Sequence, residues 1–129
     1  VTRLTAGRYR DLCAIAGDAL DHPSPEIRKA GSDFGWTVAV YLLGHRDPVT
    51  NKLIIDYVGS AVRPSSDAGA RTREHLRDLQ KKERFTCQVA LPLRRDLAVG
   101  DVRRLEGEIA RALGVPRWCQ RVPGGRRTA

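Results

Sequence analysis

Apolar residues recur along this chain with two different periods, and the switches between them predict its elements. Over residues 5–21 the spacing is helical: Leu12, Ile15, Ala16, Ala19 and Leu20 share a stripe, Thr5 can cap the start, and His22-Pro23 stops it. Ser24-Pro25-Glu26 reads as an N-cap followed by Pro at the first helical position, with Gly31 closing a short second helix and 32–35 a linker. The period then shortens. Trp36 to Leu43 is rich in β-branched, aromatic and aliphatic residues and predicts a strand. Gly44 to Lys52, with Asp47-Pro48 and Thr50-Asn51, is a turn region. Leu53 to Val58 is a second strand that ends in a glycine turn and makes an antiparallel hairpin with the first.

Beyond a polar loop over 62–69, helical spacing returns from Ala70 to about Lys82, with Leu76 and Leu79 inward and Arg73, Arg77, Lys81 and Lys82 as basic positions. Phe85 to Leu91 alternates as a third strand, stopped by Pro92. Asp101 can cap a last helix to Leu113, whose stripe is Val102, Leu105, Ile109, Ala112 and Leu113; Gly114 and Pro116 end it. This order predicts an α+β fold: a small three-stranded antiparallel sheet flanked by helices, with an N-terminal helical extension. Residues 1–35 form that extension, 36–116 the sheet-bearing domain, and 117–129 a basic, Gly-rich tail.

At 129 residues, 41% of them hydrophobic and only 5% aromatic, the chain is one domain's worth with an aliphatic core. No apolar run approaches the roughly 18–20 residues that cross a bilayer, so no membrane partner is expected. The chain opens on Val rather than Met, which points to a trimmed or excised chain, and its first residues lack a signal-peptide pattern. Lys and Arg number 23 against 15 Asp and Glu, a formal charge of +8 that points to a polyanionic partner, nucleic acid first. Cys13, Cys87 and Cys119 are an odd set, far apart and without a Cys-x-x-Cys. They argue against a disulfide framework or zinc knuckle and for a reducing, cytoplasmic location, with Cys13 and Cys87 as small core residues.

The candidate chemistry gathers between Asp56 and His75. The second strand carries Tyr57, and the helix that follows puts Arg71 and His75 four residues apart on one face. A phenol, a guanidinium and an imidazole near one spot suit a phosphate better than a sugar or an acyl group. Tyr41 lies on the other strand of the hairpin. On the last helix Glu106 flanks the apolar stripe near Leu113 and Glu108 flanks it on the other side. A carboxylate at the edge of a packed face can ligate Mg²⁺, which takes one or two protein carboxylates and keeps several waters. His22 and His45, beside Pro and in a turn, are assigned no role.

Ala39-Val40-Tyr41, Tyr57-Val58-Gly59-Ser60-Ala61, Arg71-x-x-x-His75 and Leu105-Glu106 together resemble the GIY-YIG nuclease family, over about Trp36 to Leu113. The resemblance implies that family's three-stranded sheet and its metal-dependent cleavage of DNA. It matches Tyr41 and Tyr57 to the two motif tyrosines, Arg71 to the helix arginine, His75 to the histidine one turn later, and Glu106 to the single ligand of Mg²⁺ or Mn²⁺. In this assignment Tyr41 is the candidate base, Tyr57 orients the water or phosphate, Arg71 stabilises charge on the phosphoryl group, and His75 assists proton transfer or binds phosphate. Arg63, Arg73, Arg77 and Gln120 are candidate contacts to nucleic acid.

The chain departs from the family pattern at four points. Ala39 stands for the first glycine, and the segments between the tyrosines and from Gly59 to Arg71 are longer than usual. The asparagine usual a dozen or so residues past the glutamate is missing, with Gln120 the nearest amide. That last departure keeps open a catalytically silent nucleic-acid-binding domain on the same fold. A basic adaptor for an acidic protein is a weaker third reading. A domain this small is expected to draw specificity from a second copy or a partner protein.

Overall fold

The computed structural model describes residues 3–32, 37–62, 85–114 and 116. The loop expected over 62–69 (past Val62), the helix over 70–82 and the tail from Arg117 lie outside them. The described residues form an α+β arrangement. Its antiparallel sheet has four strands, β1 (Arg28–Lys29), β2 (Val38–Arg46), β3 (Leu53–Val62) and β4 (Cys87–Pro92), in the order β1-β4-β2-β3. Two α-helices, α1 (Ala6–Ala16) and α2 (Val99–Ala112), accompany it among the described residues. None of their helices is long and apolar enough to cross a membrane.

Side chains alternate across the central strand, and its two faces belong to two cores. Val38, Val40 and Leu42 of β2, with Leu53, Ile55 and Val58 of β3 and Val89 and Leu91 of β4, pack against Tyr9, Leu12 and Ala16 of α1 and Val102, Leu105 and Ile109 of α2. This is the helix face. The opposite face carries Ala39, Tyr41, Leu43, Ala61, Phe85 and Ala90. The predicted stripe of α2 is buried at Val102, Leu105, Ile109 and Leu113. Its start lies upstream of the expected cap: Ala98 is the N-cap, and Asp101 sits in the first turn, where a carboxylate favours the helix dipole.

The Thr5 cap holds, its hydroxyl accepting the Arg8 N–H at 3.0 Å. The first helix is shorter than expected, passing at Gly17 into a 3-10 turn over Gly17–Ala19. Cys13 and Cys87 are half-buried free thiols packed against the core rather than within it.

The expected second helix is a strand segment instead, and the expected three-stranded sheet gains its fourth strand there. Arg28 and Lys29 pair with Gln88 and Cys87, Ala30 N–H donates to Thr86 at 3.0 Å, and Gly31 turns the chain at φ +89°. A helix this short is marginal on its own, while the outer side of β4 presents ladder groups that need partners. The chain from 19 to 32 supplies them at both ends of this edge. Asp21 N–H donates to the Pro92 carbonyl at 2.8 Å, and the buried side chain of Gln88 accepts from Gly31 N–H and donates to the Ser32 carbonyl, each at 2.7 Å.

Tyr9 closes the gap between those contacts. Its hydroxyl donates to the Ala90 carbonyl and accepts the Ser24 N–H, both at 2.8 Å. Burial pushes its pKa from 10.0 to about 12. Tyr9→Phe leaves a carbonyl and an N–H without this partner and is expected to cost about 1–3 kcal/mol, read as a lower urea midpoint at neutral pH. The raised pKa adds a pH signature. The unfolded chain releases this proton near pH 10 and the native chain holds it to about 12, so stability from this group is intact below pH 10 and falls as pH rises through that window. Tyr9→Phe is expected to remove that part of the alkaline loss.

Candidate active site

Both strands of the hairpin run further than their glycines predict. β2 continues through Gly44 to Arg46, and β3 continues through Gly59 to Val62. Tyr57 is therefore mid-strand rather than at a strand end, and Gly59 is part of the ladder rather than a turn. Across the ladder Tyr41 pairs with Gly59 and Leu43 with Tyr57. The two tyrosine rings are neighbours on the face away from α1 and α2, with centroids 6.3 Å apart and planes at 25°. Phe85 continues the cluster, its ring 6.0 Å from that of Tyr57.

Gly59 makes this packing possible. The Tyr41 ring lies across it, and a Cβ at 59 would stand 2.4 Å from both Cζ and Oη of Tyr41. The Tyr57-Val58-Gly59 spacing thus has a geometric content: the tyrosine and the glycine share a face, and the glycine leaves room for the phenol of the facing strand. The two phenols differ in access. Tyr41 is 0% exposed, whereas Tyr57 is half-buried on the outer strand β3 and packs against both cores.

The register slips once, between Leu43 and Gly44: Leu43 pairs with Tyr57 but Gly44 with Ile55. Asp56 is the extra residue of a β-bulge, which re-aims a side chain out of simple alternation. Its carboxylate is 2% exposed, and Oδ2 meets His45 Nδ1 at 2.5 Å. His45 follows Tyr41 and Leu43 at period two on β2 and so belongs to the tyrosine face. The sequence reading missed this pair, since it ended the strand at Leu43 and placed His45 in a turn. The alternation Tyr41, Leu43, His45 was the available signal.

The turn itself runs from Asp47 to Lys52. The Asp47 carboxylate accepts the N–H groups of Thr50 and Val49 at 3.1 and 2.8 Å, which hold its pKa below the usual range.

Glu106 is half-buried on α2, as is Glu108. Its helix packs on the helix face, so the carboxylate comes from the layer opposite Tyr41, with Tyr57 of β3 reaching both layers. The structure therefore brings Tyr41 and Tyr57 together and sets Glu106 on a neighbouring element. Arg71, His75, Arg63, Arg73, Arg77 and Gln120 lie outside the described residues.

Among the described residues no group of three or more His, Cys, Asp and Glu is gathered to hold a metal. A single carboxylate anchored on a packed helix still fits Mg²⁺ or Mn²⁺, which accept oxygen ligands and retain water around them. A closed structural zinc site, which takes four ligands, does not fit this donor set. The fold and the site together define an α+β domain with a paired-tyrosine sheet face. No family model, no curated protein and no solved structure matches the chain.

Proposed function

We propose that this chain is a metal-dependent DNA endonuclease of the GIY-YIG type that hydrolyses phosphodiester bonds. The observation that carries the reading is the seating of Tyr41 over Gly59 beside Tyr57 on adjacent antiparallel strands. Two motifs sixteen residues apart in sequence thereby meet on one face of the sheet, as a shared role for them requires.

The residues divide the work by their access and charge. Tyr57, the less buried phenol, orients the attacking water or a phosphoryl oxygen by hydrogen bonding. Tyr41 supports it from the core by stacking, so the water-facing role moves from Tyr41 to Tyr57. Arg71 supplies a forked positive charge for the phosphoryl oxygens, and His75 binds phosphate or assists proton transfer. Glu106 would hold Mg²⁺ or Mn²⁺, which supplies Lewis-acid polarisation and a more acidic bound water. The excess of cationic side chains attracts the DNA backbone, with Arg63, Arg73, Arg77 and Gln120 as its contacts.

Tyr57→Phe is the direct test of this assignment. The ring stays, the hydroxyl goes, and metal-dependent plasmid cleavage is expected to fall by about a hundredfold or more at a melting temperature close to wild type. Full activity in this variant would remove Tyr57 from the chemistry.

A second reading is a silent nucleic-acid-binding domain, favoured by the full burial of Tyr41 and by Gln120 at the family's asparagine region. It predicts steeply salt-dependent DNA binding with no cleavage in any divalent metal.

A further inference from the structure

The tyrosine face also carries the Asp56–His45 pair, which the roles above leave unused. Asp56 sits in the bulge immediately before Tyr57, with its side chain 3% exposed, and the side chain of His45 is 25% exposed. The 2.5 Å contact places a proton between the two groups, and an ionised carboxylate accepts it from Nδ1–H. In the neutral ring that leaves the lone pair on Nε2. Nδ1 is turned to a buried partner while a quarter of the side-chain surface stays exposed, so Nε2 is the ring nitrogen left for a contact from outside.

Two further observations give this lone pair a use. Tyr41 is fully buried and has no access to water. Tyr57 is half-buried, and imidazole is the side chain most often used as a general base. On the sheet, His45 stands one same-face position beyond Leu43, the residue that Tyr57 faces, which is roughly 7 Å along the strand. A bulge that swings a buried carboxylate onto this imidazole holds the ring in one orientation, two residues along β2 from the position that Tyr57 faces.

We propose that His45 is the proton acceptor for the attacking water on this face, and that Asp56 is its positioning residue. This rests on the nuclease reading. As the water oxygen bonds to phosphorus, Nε2 takes one of its protons, and the bond from phosphorus to the leaving deoxyribose oxygen breaks. The imidazolium, paired with Asp56, releases its proton to solvent, and the departing alkoxide takes one from solvent. Tyr57 hydrogen-bonds the water or phosphate and exchanges no proton.

The test uses the full chain and a 20-base-pair duplex. The chain has three histidines, so ring ¹⁵N–¹H correlation spectra of wild type and His45→Gln assign His45 by difference. The expected result is an Nδ1–H tautomer with an unprotonated Nε2 whose resonance shifts when duplex is added in Ca²⁺. In Mg²⁺, His45→Gln is expected to cut at least a hundredfold more slowly in single turnover, with duplex affinity within about threefold of wild type.

Asp56→Asn, checked for folding by its melting temperature, is expected to lose the Nδ1–H preference and to slow cleavage likewise. An Nε2–H tautomer in wild type overturns the proposal, as does a ring unmoved by bound duplex. So does wild-type cleavage by His45→Gln, which leaves the nuclease reading standing. A wild-type chain that cuts no DNA in Mg²⁺ or Mn²⁺ overturns both together.

Discussion

Glu106→Gln, and separately Arg71→Ala, is expected to lower metal-dependent DNA cleavage by roughly a thousandfold or more while the chain stays folded. In the proposed mechanism the two substitutions remove different positive contributions to the same transition state. Glutamine keeps the size of the Glu106 side chain but carries no charge, so a divalent cation loses its anionic ligand. Alanine at 71 removes the guanidinium assigned to the phosphoryl oxygens in that mechanism.

With one metal rather than a pair, neither loss is made good by the other group. Glu106 does not carry the core. Glu106 flanks a stripe whose burial rests on Val102, Leu105 and Ile109, so melting temperatures near wild type are expected. Single-turnover rates on a labelled duplex, with far-ultraviolet circular dichroism beside them, check both halves of the claim. Wild-type rates in both variants would end the nuclease assignment.

Gly44→Ala is expected to have the largest effect on stability, about 3 kcal/mol or more, a large part of the 5–15 kcal/mol that holds a typical domain. Gly44 lies on the central strand at the bulge, paired to Ile55 on one side and Cys87 on the other. A Cβ there would fall 1.9 Å from the Ile54 carbonyl oxygen and 2.9 Å from its carbonyl carbon. Those atoms are backbone held in the ladder, so no rotamer change relieves the overlap. The strands must separate, and the Gly44 carbonyl would move off the Thr86 N–H it accepts at 2.8 Å. The bulge that aims Asp56 would move with it. Urea unfolding of wild type and variant measures the loss. Equal midpoints would mean that the hairpin opens at Gly44 without cost.

Glycine is also where the sequence was hardest to read. Gly44 and Gly59 look like strand-ending punctuation, because glycine usually costs a strand both entropy and packing. Here each is required by something non-local: the close approach of the Ile54 carbonyl, and the Tyr41 ring crossing the neighbouring strand. Only the register reveals either, and with the strands cut short the pairing of His45 with Asp56 stayed out of view.

Ser24-Pro25 and Gly31 are sound local helix signals, yet the unpartnered edge of β4 turned that segment into edge cover. Local chemistry was legible where nothing competed with it, as at the Thr5 cap, the apolar runs of β2 to β4, and the amphipathic stripe of α2. Of the site, the two tyrosines were legible as a pair, since both lie in apolar runs of the same hairpin. Their unequal burial was not, because it depends on which strand is central.

The most direct measurement of the central claim is cleavage of supercoiled plasmid by the full chain in Mg²⁺, in Mn²⁺ and in EDTA, with Glu106→Gln run beside it. The account predicts nicked or linear product with wild type in either metal, none in EDTA, and almost none with the variant. Plasmid left intact in both metals by a folded chain that binds it would contradict the account and favour the silent binding domain.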